Sequence, residues 1–547
     1  MARNWTKSLR DRLTTTIPAD HLLPDTQPTY VRSSAYLLGA FTLATLVVVV
    51  VSGLVLAAFG PQWWHTNGLG RFVNSLHFWS VQGFFFCMVL HLWAMFFQGA
   101  WRDGRKRTWV TGAITFLVSI LAGFTGFLSQ SNFDSQWIAV SAKDLMNAVG
   151  VGSFFNPLNF GQMYSFHVVL LPLVVAGLVG LHVFLVRMRG VVRPYSVAGE
   201  QRVAYTKGMT QDQYYRGVPM APYDLIREIT RVTLITLVAV VVLAGVLSSP
   251  DEPPLTLQGV AQSSPVEFTT VSLAELASTS VIANYGPPYT SSPGAQQYLG
   301  PISLQQAAGV RMPLDTASTY VLQPLATLQN PVIVAALATF NAAKADQQTT
   351  WQTNYATALG TNTTEAVDAT GQVTTTCTAI AGDPADCGPL PVMLGGVLSL
   401  ARSGALDGLL LSNQGTFYQT DYTKPLLFLN ESALPSKAAT LNLAGANWGI
   451  MNETGKYPGQ AWLWLYTFWY QVPVGPFNGP NADVGVAVMV LLLSMLFVFV
   501  PYIPYLNRLP EYLGIHKLIW RQHYRDVRAA GVPPVVATPI PALNAEE

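Results

Sequence analysis

The chain has 547 residues, of which half are apolar and 11% are charged, and its formal net charge is +1. So few charges exclude an ordinary soluble globular protein, and near-neutrality excludes a nucleic-acid binder. What remains is a membrane class.

The N-terminal segment, to about Pro28, is polar and mixed in charge and reads as no cleavable signal peptide. Apolar runs of spanning length follow at about 34–58, 72–97, 109–129, 164–186, 231–249 and 484–505. They predict six transmembrane helices, the fifth the weakest because it is short and opens with Arg231. An even number places both termini on one side. Of the 30 Lys and Arg, 22 fall in the N-terminal segment, the loops 98–108 and 187–231, and the tail after 505. The positive-inside bias makes those parts cytoplasmic. The expectation is therefore a multi-pass protein of a prokaryotic plasma membrane, both termini inside, with residues about 250–483 extracytoplasmic.

That outer segment holds Cys377 and Cys387 in the stretch CTAIAGDPADC, and an oxidising compartment predicts a disulfide between them. Cys87, inside the second span, reads as an inert apolar residue. The outer segment is rich in Thr, Ser, Ala, Gln, Asn and Pro, and it has no His and no Cys-x-x-Cys-His. It is expected to be a docking domain without a cofactor of its own. Its class is uncertain, although 331–343 and 391–411 read as helices.

Four of the eight histidines fall inside predicted spans: His77 and His91 on the second, His167 and His182 on the fourth. The spacings are 14 and 15 residues. At about 100° and 1.5 Å per residue, each helix presents two imidazoles on nearly one face, roughly 21 Å apart. Both helices run outside to inside, so His77 matches His167 in depth at the outer level, and His91 matches His182 at the inner level. A lone buried histidine is as readily a packing residue. Four at matched depths in a bilayer point to function. The geometry asks for two b-type haems, the outer iron held by His77 and His167 and the inner iron by His91 and His182. Gly39 and Gly53 on the first span, and Gly112 and Gly126 on the third, repeat the 14-residue period. Glycine at those positions would make room for a flat macrocycle between helices.

At these residues the chain resembles the cytochrome b family of quinol:cytochrome c reductases and the related plastid complexes. The resemblance covers roughly residues 30–195, and the 14 and 15 spacings resemble the plastid-type branch. GAWRDGRKRTWVTG (99–112), GFTGFL (123–128) and HVVLLPLVVAGLVGLHVFL (167–185) support it, and RGVPMAPYDLIREI (216–229), SSPDEPPLTLQGVAQSSPVEF (248–268) and VPYIPYLNRLPEY (500–512) match more loosely. It implies an all-α membrane bundle: a four-helix di-haem core over 34–195, a cytoplasmic loop and fifth span over 196–249, and a sixth span and tail over 484–547. A cytoplasmic segment 1–33 precedes the core, and the domain 250–483 is an insertion.

The pattern also departs from the family. The Pro-Trp element after the third span reads LSQSNFDSQW (128–137) here. The acid-bearing Pro-Glu-Trp-Tyr motif is missing, and its nearest counterpart is WLWLYTFWYQVP (462–473). Family arginines near the haem propionates are absent, with Asn74, Ala94 and Gln162 standing near the ligands instead. Candidate quinone or proton groups are Asp224 and Arg227, with His21, on the inner side. On the outer side they are Asp134 and Trp137, with Asp251 and Glu252 as alternative carboxylates.

The leading functional reading is the electron-transfer cytochrome b subunit of a multi-subunit quinol oxidoreductase. It would carry two haem b, with quinone as a further ligand. Iron–sulfur and cytochrome c subunits would be its partners, and a homodimer is compatible. A second reading is a conduit joining an extracytoplasmic dehydrogenase or iron–sulfur protein to the quinone pool. A third, from another class, is a haem-free structural or transport subunit.

Overall fold

A computed structural model describes residues 5–8, 11, 25–197, 203–292, 296–361, 377, 386–412, 419–443, 459–473, 475–477 and 479–529. His21 lies outside the described residues. Among the described residues the regular structure is helical apart from a short antiparallel pair, β1 (Thr26–Pro28) and β2 (Met220–Pro222).

Six helices are long and apolar enough to cross a membrane. They are α1 (Leu38–Phe59), α2 (Gly68–Phe97), α3 (Lys106–Leu128), α5 (Phe160–Arg189), α6 (Leu225–Leu247) and α12 (Ala482–Phe499), with α4 (Phe133–Ala148) between α3 and α5. The protein is thus an all-helical, multi-pass membrane protein. A run such as Val48–Val51 in α1 is a poor helix former in water. In lipid every backbone polar group must be satisfied internally, and the helix is the available solution.

Local caps explain where the helices start. Asn67 accepts from the Leu69 and Gly70 N–H groups at 2.9 and 3.2 Å, so α2 begins four residues before the apolar run. Asp224 accepts from Arg227 N–H at 2.9 Å and opens α6 at Leu225. The fifth span is therefore 23 residues long and contains Arg227 and Arg231, where the apolar run alone had suggested a short helix opening at Arg231. In α5 the residues Phe166–Leu170 form a π-turn. A π-turn takes up one extra residue within a helix.

Two compact units divide the chain: Met1–Ala122, Val168–Ser249 and Leu492–Glu547 in the first, Gly123–His167 and Pro250–Leu491 in the second. In the first unit α1 packs along α2, and α6 packs against both. Trp79 Nε1 donates to Ser248 O at 2.6 Å, and Trp109 Nε1 donates to Phe497 O at 3.1 Å, tying α3 to α12. Arg105, only 3% exposed, donates to the carbonyls of Arg189, Gly190 and Val191 at 2.7–3.4 Å. These are the orphan acceptors at the C-terminus of α5, and one guanidinium satisfies them.

The second unit joins residues 123–167 to residues 250–491. Residues 123–167, placed by sequence inside the four-helix core, group with the outer segment. The cause is a set of backbone and side-chain bonds. Phe133 N–H donates to Glu252 O, Gln136 exchanges two bonds with Leu255, Trp137 Nε1 donates to Leu443 O, and Phe160 N–H donates to Thr420 O. Lys437 pairs with Glu252 at 2.8 Å. The unit is helical, with α7 (Pro265–Leu276), α8 (Pro331–Ala342), α9 (Leu390–Arg402), α10 (Ala405–Ser412) and α11 (Thr423–Asn430) among its elements. Leu390, Met393, Leu394, Val397, Leu398 and Ala401 of α9 are 0 or 1% exposed. A 13-residue helix apolar on this scale is a core helix, too short for a span. Cys377 and Cys387 are joined as a disulfide, Cα atoms 6.2 Å apart, and Cys87 is free. Closure of so short a loop stabilises the unit by about 2–3 kcal/mol. Cys377→Ser with Cys387→Ser is expected to lower its unfolding free energy by that amount, and an unchanged value in denaturant titration would contradict it.

Two acids, Glu275 buried and Asp144 half-buried, make this unit pH-sensitive. Glu275 is 0% exposed and accepts from Ser280 Oγ at 2.8 Å; burial, with Glu431 nearby, pushes its carboxyl up to about 7. Asp144, hydrogen-bonded to Tyr285, is pushed up by burial to about 6. Each holds its proton more tightly folded than unfolded. Their stabilisation is fully present below the ordinary values of 3.8 and 4.5 and is lost as pH rises through about 6 and about 7. For Glu275 this amounts to roughly 3 kcal/mol. Glu275→Gln should flatten the decline, as read by thermal unfolding of the full chain across that window.

Candidate functional site

Each of the four span histidines lies against one of the four glycines. A Cβ added to Gly39 would sit 3.2 Å from His91 Cε1, and one on Gly53 would sit 3.1 Å from His77 Cε1. On Gly112 it would sit 2.9 Å from His182 Cε1, and on Gly126 it would collide with the His167 ring. Gly177 and Gly180 of α5 and Gly245 of α6 face open space. The period therefore marks ring seats and not general helix packing. A side chain at any of the four positions would meet the imidazole first.

The seats also orient the rings. His77 Nδ1 lies 3.1 Å from Val49 O and 3.0 Å from Ser52 Oγ. Val49 is four residues before Gly53, so the carbonyl it offers lies one turn from the seat. His182 repeats the pattern on α3. It is hydrogen-bonded to the backbone of Thr108, four before Gly112, and its Nδ1 is 3.4 Å from Thr111 Oγ1. An imidazole that donates from Nδ1 keeps its lone pair on Nε2, the nitrogen a metal would take. His91 is the exception. Its Nδ1 is buried without a hydrogen-bond partner. The residue four before Gly39 lies in the 3-10 turn Ser34–Tyr36, ahead of α1, so no helix carbonyl is offered there. His91 and His182 are close enough to interact electrostatically.

The π-turn at His167 answers the unequal spacing. The π-turn Phe166–Leu170 lies at the start of the 15-residue step from His167 to His182, and a π-turn lowers the rotation per residue there. A bis-imidazole haem iron needs two such nitrogens and a groove free of side chains, and these residues fit it.

The other candidates are placed less favourably. Asp224 is engaged twice, by the Arg227 N–H and by Thr6 Oγ1 at 2.5 Å, and Arg227 is exposed. That is a helix cap at the start of α6. Asp134 is buried, 1% exposed, in the first turn of α4, where a carboxylate suits the helix dipole. The aromatic stretch 462–473, which lacks an acid of its own, gains one from α12. Tyr466 and Tyr470 hydroxyls are 2.9 Å apart, and Tyr470 donates to Asp483 at 2.5 Å. Sequence reasoning missed that acid, Ser52 and the Val49 carbonyl. Only the last was within its reach, as the i−4 position to a glycine.

Residues 82–265 match the family model described as cytochrome b (N-terminal)/b6/petB. A cytochrome b6 of Heliobacterium modesticaldum is 25% identical over 189 residues, 30% of this chain and 89% of that protein. A menaquinol:cytochrome c reductase cytochrome b subunit of Geobacillus thermodenitrificans is 26% identical over 201 residues, 32% of this chain and 90% of that protein. A cytochrome b of Schizosaccharomyces octosporus is 28% identical over 222 residues, 36% and 53% of the two chains. His91, His167 and His182 lie within the matched span, and His77 lies five residues before it. Residues 82–265 thus form a divergent cytochrome b N-terminal/b6-type domain, and over that part the chain is similar to cytochrome b subunits.

Proposed function

We propose that the chain binds two low-spin haem b groups and works as the electron-transfer subunit of a quinol-oxidising membrane complex. The observation that carries this reading is the fourfold pairing of His77, His91, His167 and His182 with Gly53, Gly39, Gly126 and Gly112. The inner iron is assigned to His91 and His182, the outer iron to His77 and His167. When bound, each haem would supply one-electron transfer, held by one histidine from each helix. The chain's own residues orient the rings through the Val49 and Thr108 backbone and keep bulky side chains away from them. Ligand levels roughly 21 Å apart carry an electron across most of a bilayer about 30 Å thick.

Quinol as the electron source is supported by the name of the Geobacillus relative. Partners of the iron–sulfur or cytochrome c kind follow from the same reading, and a homodimer is compatible with it. The cytoplasmic placement of both termini rests on the Lys and Arg bias, with the Cys377–Cys387 disulfide agreeing.

Purified protein should show two haem b per chain in a reduced-minus-oxidised spectrum. His91→Leu or His182→Leu should remove the inner haem alone, and His77→Leu or His167→Leu the outer one. Retention of both haems in any of these would refute the assignment. Gly112→Val should cost the inner haem with helix content unchanged, whereas Gly180→Val should cost neither; equal effects would refute the seat.

A further inference from the structure

Beyond α12 the chain turns back along the ends of the spans. Three short helices follow: α13 (Leu509–Leu513), α14 (His516–Ile519) and α15 (Arg521–Ala529). Trp101 Nε1, in the loop between α2 and α3, donates to Asn507 O at 3.1 Å. Trp520 is 1% exposed and donates from Nε1 to the Tyr36 hydroxyl at 2.9 Å, and Tyr36 lies two residues before α1. The His516 ring lies 4.3 Å from that of Tyr195, six residues after α5. The ends of the spans thus hold these helices at the boundary between apolar core and water.

The two sides of this segment differ. Trp520, Ile519 and Tyr524 pack with Tyr30, Ala100 and Val192. Lys517, Arg521, Arg525 and Arg528 recur at steps of four, four and three, so they line the other side, and all four are exposed. Among the described residues none of them pairs with an acid. Asp526, on the same helix, accepts instead from Gln522 Nε2 at 2.7 Å. Beside the cations two leucines are bare, Leu513 at 50% and Leu518 at 74% exposure. Cations alone would suit water. Bare leucines beside them, at the level where spans end, suit the headgroup–acyl boundary of a bilayer. There long cationic side chains reach phosphate while apolar ones enter the acyl region.

We propose that the face bearing Lys517, Arg521, Arg525 and Arg528 binds the phosphates of anionic lipids in the adjoining leaflet, with Leu513 and Leu518 among the acyl chains. Charge complementarity selects the lipid. Four cations without acidic partners meet headgroups with surplus negative charge, which a zwitterionic headgroup lacks. An acidic protein partner would satisfy the cations too, but it gives no reason for bare leucines at the span ends. The bound lipid would steady the segment that holds Tyr36 and Tyr195, and with them the ends of α1 and α5. The proposal goes beyond the electron-transfer reading and does not rest on it.

The test is the lipid selectivity of the full-length protein in phosphatidylcholine bilayers. It is read from the motionally restricted fraction of spin-labelled phosphatidylglycerol or phosphatidylcholine. The parent should restrict phosphatidylglycerol several-fold more strongly than phosphatidylcholine, and high salt should shrink that preference, because exposed charges are screened. Arg521→Gln with Arg525→Gln and Arg528→Gln should remove most of the preference at unchanged helix content. Lys207→Gln with Arg216→Gln, which removes two exposed cations elsewhere in the same unit, should keep it. No preference in the parent would overturn the proposal and leave a row that faces water or a protein partner. The same preference in the triple variant as in the parent, or an equal loss in the two sets of variants, would put the phosphate contacts elsewhere and overturn it as well.

Discussion

The contact between an imidazole ring and a missing side chain governs this structure. A histidine in a membrane helix is costly unless its ring is held and its nitrogens are used. Each span histidine meets that requirement by lying where a neighbouring glycine has no Cβ. For His77 and His182 the close approach brings the neighbouring backbone within hydrogen-bonding range, and the i−4 residue orients the ring. Helix length, the caps at Asn67 and Asp224, and the Arg105 clamp on the end of α5 then fix the register in which ring and glycine meet.

Much of this was legible because it depends on periodicity. Six spans, four histidines and four glycines are all counts along a chain, and a helix turns counts into faces. The unequal histidine spacing was visible too, but its remedy was not. Nothing in FHVVL states that the backbone will take a π-turn there. Helix starts were misplaced for a related reason. Asn67 and Asp224 are polar residues outside the apolar runs, and only the cap geometry assigns them to the helices they open.

The rest was illegible because it depends on contacts between residues distant in sequence. The segment 123–167 reads as part of the membrane core, yet its bonds go to residues 252–255, 420 and 443. The acid beside the aromatic stretch 462–473 comes from Asp483 at the start of the next helix. Asp224 was a candidate quinone or proton group from its place beside Arg227, and its cap bond to the Arg227 N–H and its contact with Thr6 were not legible there.

The central claim is that four seated imidazoles ligate two irons and fill both axial positions of each. Low-temperature electron paramagnetic resonance of the oxidised, purified protein, integrated against protein concentration, tests it most directly. The account predicts two low-spin ferric haem signals per chain and no high-spin component. A high-spin signal at stoichiometric level, or a single haem per chain, would contradict it.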